Sequence, residues 1–511
     1  MLQYKLYTLL FLVGFTPAYY FAQAHDSDIF FQKRPEGVIY PAGFLKGTAC
    51  STYQNGGHSH WESLGYKPES NWTWFENGFT ARFVIDRQRE GGASVLLRKS
   101  SPINRGEKVG TAADGWSRMF DDIQLIKDLG CNAHRFEMPW TDLNPEFGVW
   151  NEEAFAFFDR YIDALKENGI EPIITLYHWV HPQWFAALDA WEHEENIVHF
   201  VRYSLEVFKR FGHKVRYWAT INEPTVVSVC GYVLGTHAPG KKDHASMLRP
   251  FLPETMLSPI AHNYHLAGTV LGNLFKAHVE TYQALKAMPH GEQAQISIVH
   301  QVAHFDAKIK DGVGSLLNPL SKMLARQFNK NFGHAVFMKF FTTGHFKYEV
   351  PGQAPVEFFD ARAPQALDFI GLNFYADMTF GPAPECYAHE EQTDMAMWAI
   401  RPHTLYRAIK EMSALQVPII ITENGICDAK DDRREKWIVG YSNAVMKAIE
   451  DGYDVQGYCY WSLLDNFEWN MGHDKKFGLY AVDTLSDNPA DKERVLRKGA
   501  YAYRDYVKIS E

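Results

Sequence analysis

The chain has few cysteines and none of the pairs that mark a metal or redox motif. Its 511 residues include only six cysteines, and no two of them form a C-x-x-C pair. This spacing gives no support to a metal knuckle or a thioredoxin-like site, and six cysteines are too sparse for a disulfide framework in so long a chain. Most of them lie in or just after apolar runs, so we expect buried free thiols that act as small hydrophobic side chains.

The chain also lacks an excess of positive charge. It has 51 Lys and Arg against 61 Asp and Glu, a net charge of −10, which disfavours a general nucleic-acid binder. No strand-like run is followed by Gly-x-Gly-x-x-Gly, and there is no Walker loop, so nucleotide binding has no signature. His58 and His60 lack the further ligands of a metal site. We therefore expect no cofactor and no metal.

Only one apolar run raises the question of a membrane segment. Lys5 precedes an apolar stretch over residues 6–21, and Ala22-Gln23-Ala24 follows it, as in a cleaved secretory signal peptide. The stretch is shorter than a typical membrane span of ~20 residues, although an uncleaved anchor is the alternative. We expect residues 1–24 to be a signal peptide, residues 25–511 to form one domain, and the protein to be secreted or periplasmic.

Eight short apolar runs alternate with amphipathic helical patterns along the chain. Several runs are rich in β-branched or aromatic residues, as buried parallel strands should be. This alternation predicts a parallel α/β fold, and eight units favour a single closed (β/α)8 TIM barrel over an open sheet. The runs cover residues 43–51, 132–139, 172–179, 217–222, 295–300, 368–375, 417–422 and 455–461, and the helical patterns cover 120–129, 155–168, 197–211, 404–415 and 437–451.

The chain shows no linker or low-complexity segment between residues 30 and 505. The stretches at residues 52–131 and 301–367 are longer than a barrel needs, and we expect them to be insertions with extra helices. We expect the additional length to form extended loops over the C-terminal face of the barrel. Residues Asn71-Trp72-Thr73 form a glycosylation sequon, which has meaning only in a eukaryotic host.

Polar residues collect where the predicted strands end. A single polar residue at a strand end could simply cap a helix or fill the core. Here six strand ends have polar residues, and in a barrel the C-terminal ends of the strands form the active face. The second strand carries Arg135, the third ends in His178-Trp179 and the fourth in Asn222-Glu223. The sixth ends in Asn373-Phe374-Tyr375, the seventh in Glu423-Asn424, and the eighth in Trp461, which residues 465–469 follow.

Glu223 and Glu423 carry the functional prediction. Pro224 follows the first and Asn424-Gly425 the second, so each predicted strand stops at its glutamate. Two carboxylates across a pocket are what glycoside hydrolysis requires. One must act as an acid, with a pKa raised by its neighbour's charge, while the other stays ionised to attack the anomeric carbon.

The segments around these glutamates resemble the two signature segments of glycoside hydrolase family 1, the β-glucosidase family. They are Thr220-Ile221-Asn222-Glu223-Pro224 and Ile421-Thr422-Glu423-Asn424-Gly425. Further segments match that family in order and spacing, and the resemblance extends from Phe44 to about Val507. These segments lie at residues 44–54, 175–179, 371–375 and 461–469.

The resemblance implies a retaining exo-β-glycosidase that hydrolyses terminal β-D-glucosides, or related β-glycosides, through a covalent glycosyl-enzyme intermediate. It implies that Glu223 is the general acid/base and Glu423 the nucleophile, with their carboxyl groups ~5–5.5 Å apart. Arg135 and Tyr375 match positions that contact the nucleophile, and Trp398 matches the aromatic residue of the aglycone side. The remaining substrate-binding positions fall on Gln54, His178, Asn222, Asn373, Trp461, Glu468 and Trp469.

Two of the site residues narrow the range of expected substrates. Glu468 stands where relatives that take 6-phosphorylated sugars usually have a small hydroxyl residue, and a carboxylate there would repel phosphate. Plant thioglucosidases of the family replace the acid/base with Gln, whereas Glu223 is intact. The resemblance therefore favours a non-phosphorylated O-glycoside.

The chain departs from the family pattern at four places. Val180-His181 replace an Asp-Leu pair, and Asn55-Gly56-Gly57 replace an apolar residue followed by Glu-Gly. His473 stands for a Tyr and Lys476 for an Arg. These changes leave the loop conformations and the aglycone preference open.

Two rival functions stay open. A transglycosylase or glycosyltransferase of the same family would pass the sugar from Glu423 to an alcohol or another sugar, through the same intermediate. A non-catalytic glycan-binding barrel would lack one or both glutamates, and both are present. The expected partner is a small β-glycoside, with no nucleic acid and no membrane beyond the N-terminal segment.

Overall fold

In the computed structural model, eight parallel strands close into a barrel in which each strand pairs with its neighbours in the sequence and the last pairs with the first. The strands are β1 (Leu45–Ala49), β2 (Ala133–Glu137), β3 (Glu171–Tyr177), β4 (Tyr217–Asn222), β5 (Gln295–Gln301), β6 (Ile370–Asn373), β7 (Ile419–Asn424) and β8 (Val455–Trp461). The structure describes residues 33–57, 61, 65–66, 68–78, 101–241, 262–307, 315–316, 318–331, 334–349, 353–380, 391–395 and 398–509.

All eight predicted strands are confirmed, and so is the (β/α)8 barrel. The strands form because their residues are buried on both faces. Every residue of β2, β4, β6 and β7 is buried, as expected where helices cover a parallel sheet whose inner face fills the barrel.

One principal helix follows each strand and packs on the outside of the barrel. The helix α3 places Phe200, Tyr203 and Val207 on its buried face, a spacing of three and four residues. Gly169 follows α2 with φ +71°, the left-handed geometry with which a glycine commonly ends a helix. The helices are α1 (Gly115–Asp128), α2 (Glu152–Glu167), α3 (Ile197–Phe211), α4 (His262–Lys286), α5 (His334–Thr343), α6 (Pro402–Met412), α7 (Arg434–Glu450) and α8 (Ala500–Val507).

Three of these helices, α4, α5 and α8, are absent from the sequence prediction. The helix α4 contains Gly268 and Gly272, which lower its intrinsic helical preference. Both glycines are needed for close packing, since a Cβ at Gly268 would overlap the ring of Tyr348 and a Cβ at Gly272 would press on the ring of Phe358. Tertiary packing therefore stabilises a helix whose local sequence signal is weak.

The predicted insertions contain extra helices, as expected, at Thr52–Gly56, Asn71–Glu76 and Asn318–Asn331. The second insertion also contains strands that the sequence did not predict. His345–Tyr348 pairs with Val356–Phe359 in an antiparallel hairpin. Phe305–Ala307 pairs with Met378–Phe380 in a parallel ribbon beyond the ends of β5 and β6. These strands have only three or four residues, which is too short for a strong strand signal.

The described cysteines behave as predicted. Cys50, Cys131, Cys427 and Cys459 are buried free thiols, and Cys230 is a half-buried one. No described helix is both long enough and apolar enough to cross a membrane. Cys386, His58, His60 and the predicted signal peptide lie outside the described residues.

The sequon asparagine takes part in the fold. Asn71 is buried, and its Nδ2 donates a hydrogen bond to the carbonyl of Trp179 at 3.0 Å. Its Oδ1 accepts one from the backbone N–H of His181, also at 3.0 Å. These bonds tie the helix Asn71–Glu76 to the loop after β3, and they occupy the amide that a glycan would modify.

Candidate active site

The two glutamates lie inside the barrel mouth, at the ends of two strands that β5 and β6 separate. Glu223 directly follows β4, and Glu423 is the penultimate residue of β7; each is only 3% exposed. Glu223 has φ 48° and ψ 62° and precedes the helix Pro224–Val229. This left-handed turn is unusual for a glutamate. Gly425 ends the other signature segment, where a Cβ would overlap the carbonyl of Trp461.

Glu423 is held by a cation and a hydroxyl group. The Arg135 guanidinium donates through Nη1 to Glu423 Oε1, and the Tyr375 hydroxyl donates to Oε2 at 2.7 Å. Arg135 is itself fixed, since Nε donates to Thr175 Oγ1 at 3.0 Å and Nη2 to Asn222 Oδ1 at 2.7 Å. Charge-assisted bonds of this kind orient both carboxylate oxygens and compensate the buried charge.

Glu223 has a different environment. Burial raises its pKa well above the usual range, and the charge of Glu423 raises it further, while a hydrogen bond from Asn373 and the charge of Arg135 oppose the shift. Asn373 Nδ2 donates to Glu223 Oε1 at 2.6 Å. Burial and the charge of Glu423 thus favour the protonated form of Glu223, which is the form that can donate a proton.

The amides of Asn222 and Asn373 join the two glutamates in one network. Asn222 Oδ1 accepts from Arg135 and, at 3.1 Å, from Asn373 Nδ2. Asn373 Oδ1 accepts from Thr422 Oγ1 at 2.7 Å. Arg135, Asn222 and Asn373 thus form a chain of hydrogen bonds from Glu423 to Glu223, so the orientations of the two carboxyl groups depend on each other.

A polar and aromatic surface lies beside the glutamates. The His178 ring is nearly parallel to the rings of Trp461 and Trp469, with centroids at 5.8 and 6.0 Å. Burial and the charge of Arg135 hold the pKa of His178 well below its usual range, so the imidazole is neutral. Gln54 Nε2 donates to the carbonyl of Phe467 at 2.9 Å.

Two buried polar atoms at this surface have no hydrogen-bond partner among the described residues. They are Gln54 Oε1 and His178 Nδ1. A buried polar atom without a partner is costly, and a hydroxyl group of a ligand would satisfy it. The surface thus combines hydrogen-bonding groups with flat rings, as sugar binding requires.

Trp398 packs against Tyr375, the residue that bonds Glu423. Its ring stacks on Tyr375 with centroids 5.0 Å apart and an interplanar angle of 22°. Trp398 is half-buried and also contacts Phe477. The structure therefore brings all the predicted site residues together, because each contacts another member of the set or a direct neighbour of one.

Sequence reasoning missed the threonines that support the site. Thr175 and Thr422 bond Arg135 and Asn373 from inside β3 and β7. The available signal was a hydroxyl residue within an otherwise apolar strand. It was overlooked because threonine is common in strands for its shape alone.

The departures from the family pattern make structural contacts. His181 Nδ1 lies 3.2 Å from the Tyr177 hydroxyl, and His473 Nε2 lies 2.8 Å from the Lys108 carbonyl. A Cβ at Gly57 would overlap the carbonyl of Gly110. None of these residues bonds Glu223 or Glu423, so the changes act on loops around the site.

Glu468 gives a prediction for pH dependence. Burial and the charge of Glu423 raise the pKa of Glu468 to about 8, against the hydrogen bond from Gln54. Glu468 is thus protonated at lower pH and ionises as the pH rises through about 8. Glu468→Gln imitates the neutral acid, so we expect its kcat/KM to stay within about tenfold of wild type at about pH 6.

The measurement is the pH profile of kcat/KM on a nitrophenyl β-glucoside for both proteins. Wild type should lose activity as Glu468 gains its charge, and Glu468→Gln should lose less over the same interval because the amide does not titrate. Identical alkaline profiles would contradict the prediction.

Among the described residues there is no cluster of three or more His, Cys, Asp or Glu that could hold a metal ion. The two carboxyl groups at the centre of the site differ in their surroundings. One is poised to give a proton and the other is held as an ion pair.

Comparison with known proteins agrees with this geometry. The model of the family described as Glycosyl hydrolase family 1 matches residues 38–511. Beta-glucosidase A of Thermotoga maritima is 27% identical, over 92% of this chain and 98% of that protein. Beta-glucosidase A of Acetivibrio thermocellus is 28% identical with the same coverage. The solved beta-glucosidase from Thermotoga maritima in complex with galacto-hydroximolactam has a TM-score of 0.71 at 26% identity, and covers 92% of this chain and 98% of that one.

Proposed function

Because the chain belongs to glycosyl hydrolase family 1 and is an O-glycosyl hydrolase, we propose that it is a retaining, exo-acting β-glucosidase. Glu423 is the nucleophile and Glu223 the general acid/base. The observation that carries the proposal is the contrast between them: Glu423 is paired with Arg135 and Tyr375, whereas burial and the charge of Glu423 raise the pKa of Glu223. Opposite protonation states on two adjacent carboxyls are what double displacement needs.

In the first step Glu423 attacks the anomeric carbon. The bond from that carbon to the leaving oxygen breaks as the proton of Glu223 passes to the oxygen, and the aglycone departs as a neutral alcohol. The sugar is then an ester of Glu423. Asn222 supports this step, because its amide faces the nucleophile's arginine and can bond the sugar 2-hydroxyl as charge develops.

In the second step Glu223 acts as a base. It takes a proton from water as the water oxygen attacks the anomeric carbon and the ester bond breaks. Glu423 is released as a carboxylate and Glu223 is protonated again, so no net proton is consumed. Each displacement inverts the anomeric centre, and two of them retain the β configuration.

The substrate is a terminal, non-phosphorylated β-glucoside. Gln54, His178, Glu468 and Trp469 bind the glycone hydroxyls, and Trp461 supports the sugar ring. Gln54 Nε2 lies 3.4 Å from Glu468 Oε2, so these two side chains can bind adjacent hydroxyl groups of one sugar. A sugar phosphate beside Glu468 and Glu423 would meet acidic groups. The proteins named above, which are similar over nearly their whole length, are beta-glucosidases.

The test is the hydrolysis of a panel of aryl β-glycosides followed by proton NMR of the first sugar released. We expect β-glucoside cleavage with β-glucose as the initial product, before mutarotation. An α product, or no cleavage of any member of the panel, would overturn the proposal. Added alcohol in the same assay measures transfer, and products that are mainly alkyl glucosides would favour the transglycosylase instead.

We further propose that the protein is exported and that residues 1–24 are removed. The support is the order of charge, apolar stretch and Ala-x-Ala pattern at the N-terminus. N-terminal sequencing of protein from the culture medium or periplasm should begin at His25, and material in the membrane that still contains Leu6 would overturn this proposal.

A further inference from the structure

A partly buried ion-pair cluster is centred on Asp377, two residues beyond Tyr375 in the chain. Asp377 is 1% exposed, and its Oδ1 lies 2.9 Å from His304 Nδ1 and 3.2 Å from the backbone nitrogen of the same residue. Its Oδ2 accepts from Arg407 Nη2 at 2.5 Å. His304 lies in the loop after β5 and Arg407 on α6. We call His304, Asp377, Arg407 and Glu411 the rim clamp.

The second ring nitrogen of His304 is also used. His304 Nε2 lies 2.6 Å from Glu411 Oε2, and Glu411 is on α6 one turn from Arg407. An imidazole ring donates through both nitrogens only when it is protonated. The contacts with Asp377 and Glu411 together therefore select the imidazolium ion.

The electrostatics of the rim clamp agree with this geometry. Burial disfavours the charged ring and Arg407 opposes it, but the hydrogen bonds to Asp377 and Glu411 outweigh them and raise the pKa of His304 to about 9. His334 lies 3.8 Å from Glu411, and His300 stacks on His334. Burial lowers the pKa of both histidines, so both are neutral. The two positive charges of the cluster, on His304 and Arg407, then balance the two negative charges on Asp377 and Glu411.

The segment between the rim clamp and the active site is short and well bonded. Phe374 N–H donates to the Glu423 carbonyl at 3.0 Å, and the Phe374 carbonyl accepts from Asn424 Nδ2 at 2.6 Å. The next residue, Tyr375, donates to Glu423 Oε2. Strand β7 thus fixes one end of the segment, and the rim clamp fixes the other.

We propose that His304 and Asp377 are positioning residues that hold the Tyr375 hydroxyl on the nucleophile Glu423, and that this requires the protonated form of His304. The inference rests on the proposed function, since it needs Glu423 to be the nucleophile. When His304 loses its proton it can donate to only one of its two carboxylates. The shorter contact, with Glu411, keeps the remaining proton on Nε2, so Asp377 loses the donor at Nδ1. The end of the Tyr375 segment then loosens.

The test isolates the attack by Glu423. A 2,4-dinitrophenyl 2-deoxy-2-fluoro-β-glucoside has a leaving group that departs without a proton, so trapping does not depend on Glu223 as an acid. The fluorine slows the second step, and the ester on Glu423 accumulates. The amplitude of dinitrophenolate release counts the active molecules, whereas the first-order rate constant reports the attack itself.

Two variants of His304 separate its two contacts. The Nδ2 of Asn can take the place of His Nδ1 toward Asp377, and the Nε2 of Gln can take the place of His Nε2 toward Glu411. We expect His304→Gln to lower the trapping rate constant about tenfold or more, because small misplacements of reacting groups are costly. We expect His304→Asn to stay within about threefold of wild type at about pH 7, with similar amplitudes in all three proteins.

The pH dependence is the second readout, and it needs only wild type and His304→Asn. Both proteins should share the loss that accompanies the ionisation of Glu468 through about pH 8. Wild type should show a further fall as the pH rises through about 9, where His304 loses its proton, and the variant should lack this further fall. Equal rate constants for Asn and Gln variants, or the same alkaline fall in wild type and His304→Asn, would overturn the inference. If wild type is not labelled on the peptide that contains Glu423, the proposed function fails as well.

Discussion

Glu423→Ala should reduce kcat on aryl β-glucosides by about 10⁴-fold or more. The variant loses the only group placed to form the glycosyl ester, and no neighbouring carboxyl can replace it, since Glu223 is held as an acid. The substitution also leaves the guanidinium of Arg135 without the carboxylate that it bonds in the buried site. The measurement is nitrophenol release at saturating substrate.

Azide provides the positive control for this variant. A small anion can enter the space left by the carboxylate, beside Arg135, and attack the anomeric carbon from the same side. Because only one displacement then occurs, the product should be α-glucosyl azide, while wild type should form none of it. Full residual activity in Glu423→Ala, or rescue that yields the β-azide, would contradict the assignment of the nucleophile.

Glu223→Ala should show a loss that depends on the leaving group. A positioned general acid contributes about 10²–10⁴-fold, so poorly activated alkyl glucosides should lose that much in kcat/KM. Dinitrophenyl glucoside needs no proton to depart, so its first step should be nearly unaffected. Its second step lacks the base, and the glucosyl ester should accumulate as a burst. The measurement is a leaving-group series in stopped flow.

Azide and pH distinguish Glu223→Ala from the nucleophile variant. In Glu223→Ala, azide attacks the ester after Glu423 has reacted, so two displacements should give β-glucosyl azide. Wild-type activity requires protonated Glu223, and because burial and Glu423 raise its pKa, activity is present at neutral pH and falls as the pH rises through that raised pKa. The variant should lose the part of the alkaline fall that comes from Glu223 and keep the part that comes from the ionisation of Glu468 through about pH 8. A uniform loss across all leaving groups would contradict the acid/base role.

The barrel could be predicted because its strands are buried on both faces and therefore appear as apolar runs. The polar residues at their ends, such as Asn222 and Glu423, stand out against those runs in the sequence. The helix α4 was missed since Gly268 weakens its pattern, while close packing against Tyr348 makes that glycine necessary. The additional strands outside the barrel were not predicted because each has only three or four residues.

The rim clamp illustrates what the sequence could not supply. His304, Asp377 and Arg407 come from three separate elements, and each is unremarkable in its local sequence. Their meeting depends on the closure of the barrel, which sets β5 beside β6 and places α6 against their ends. The protonation of His304 depends on its contacts with Asp377 and Glu411, which no local sequence pattern shows. By contrast, Glu223 stands out in the sequence because it directly follows an apolar strand, and its expected role as the acid comes from the family resemblance.

The buried amide of Asn71 bears on the choice of expression host. In a eukaryotic secretory pathway, glycans are attached to a sequon as the unfolded chain emerges, before Asn71 can bond Trp179 and His181. A glycan there would remove one Nδ2 hydrogen and place a bulky polar group in a buried position. In glycosylated chains the helix Asn71–Glu76 should therefore fail to bond to the loop after β3. A bacterial host, or growth with glycosylation inhibited, should give the higher yield of active enzyme.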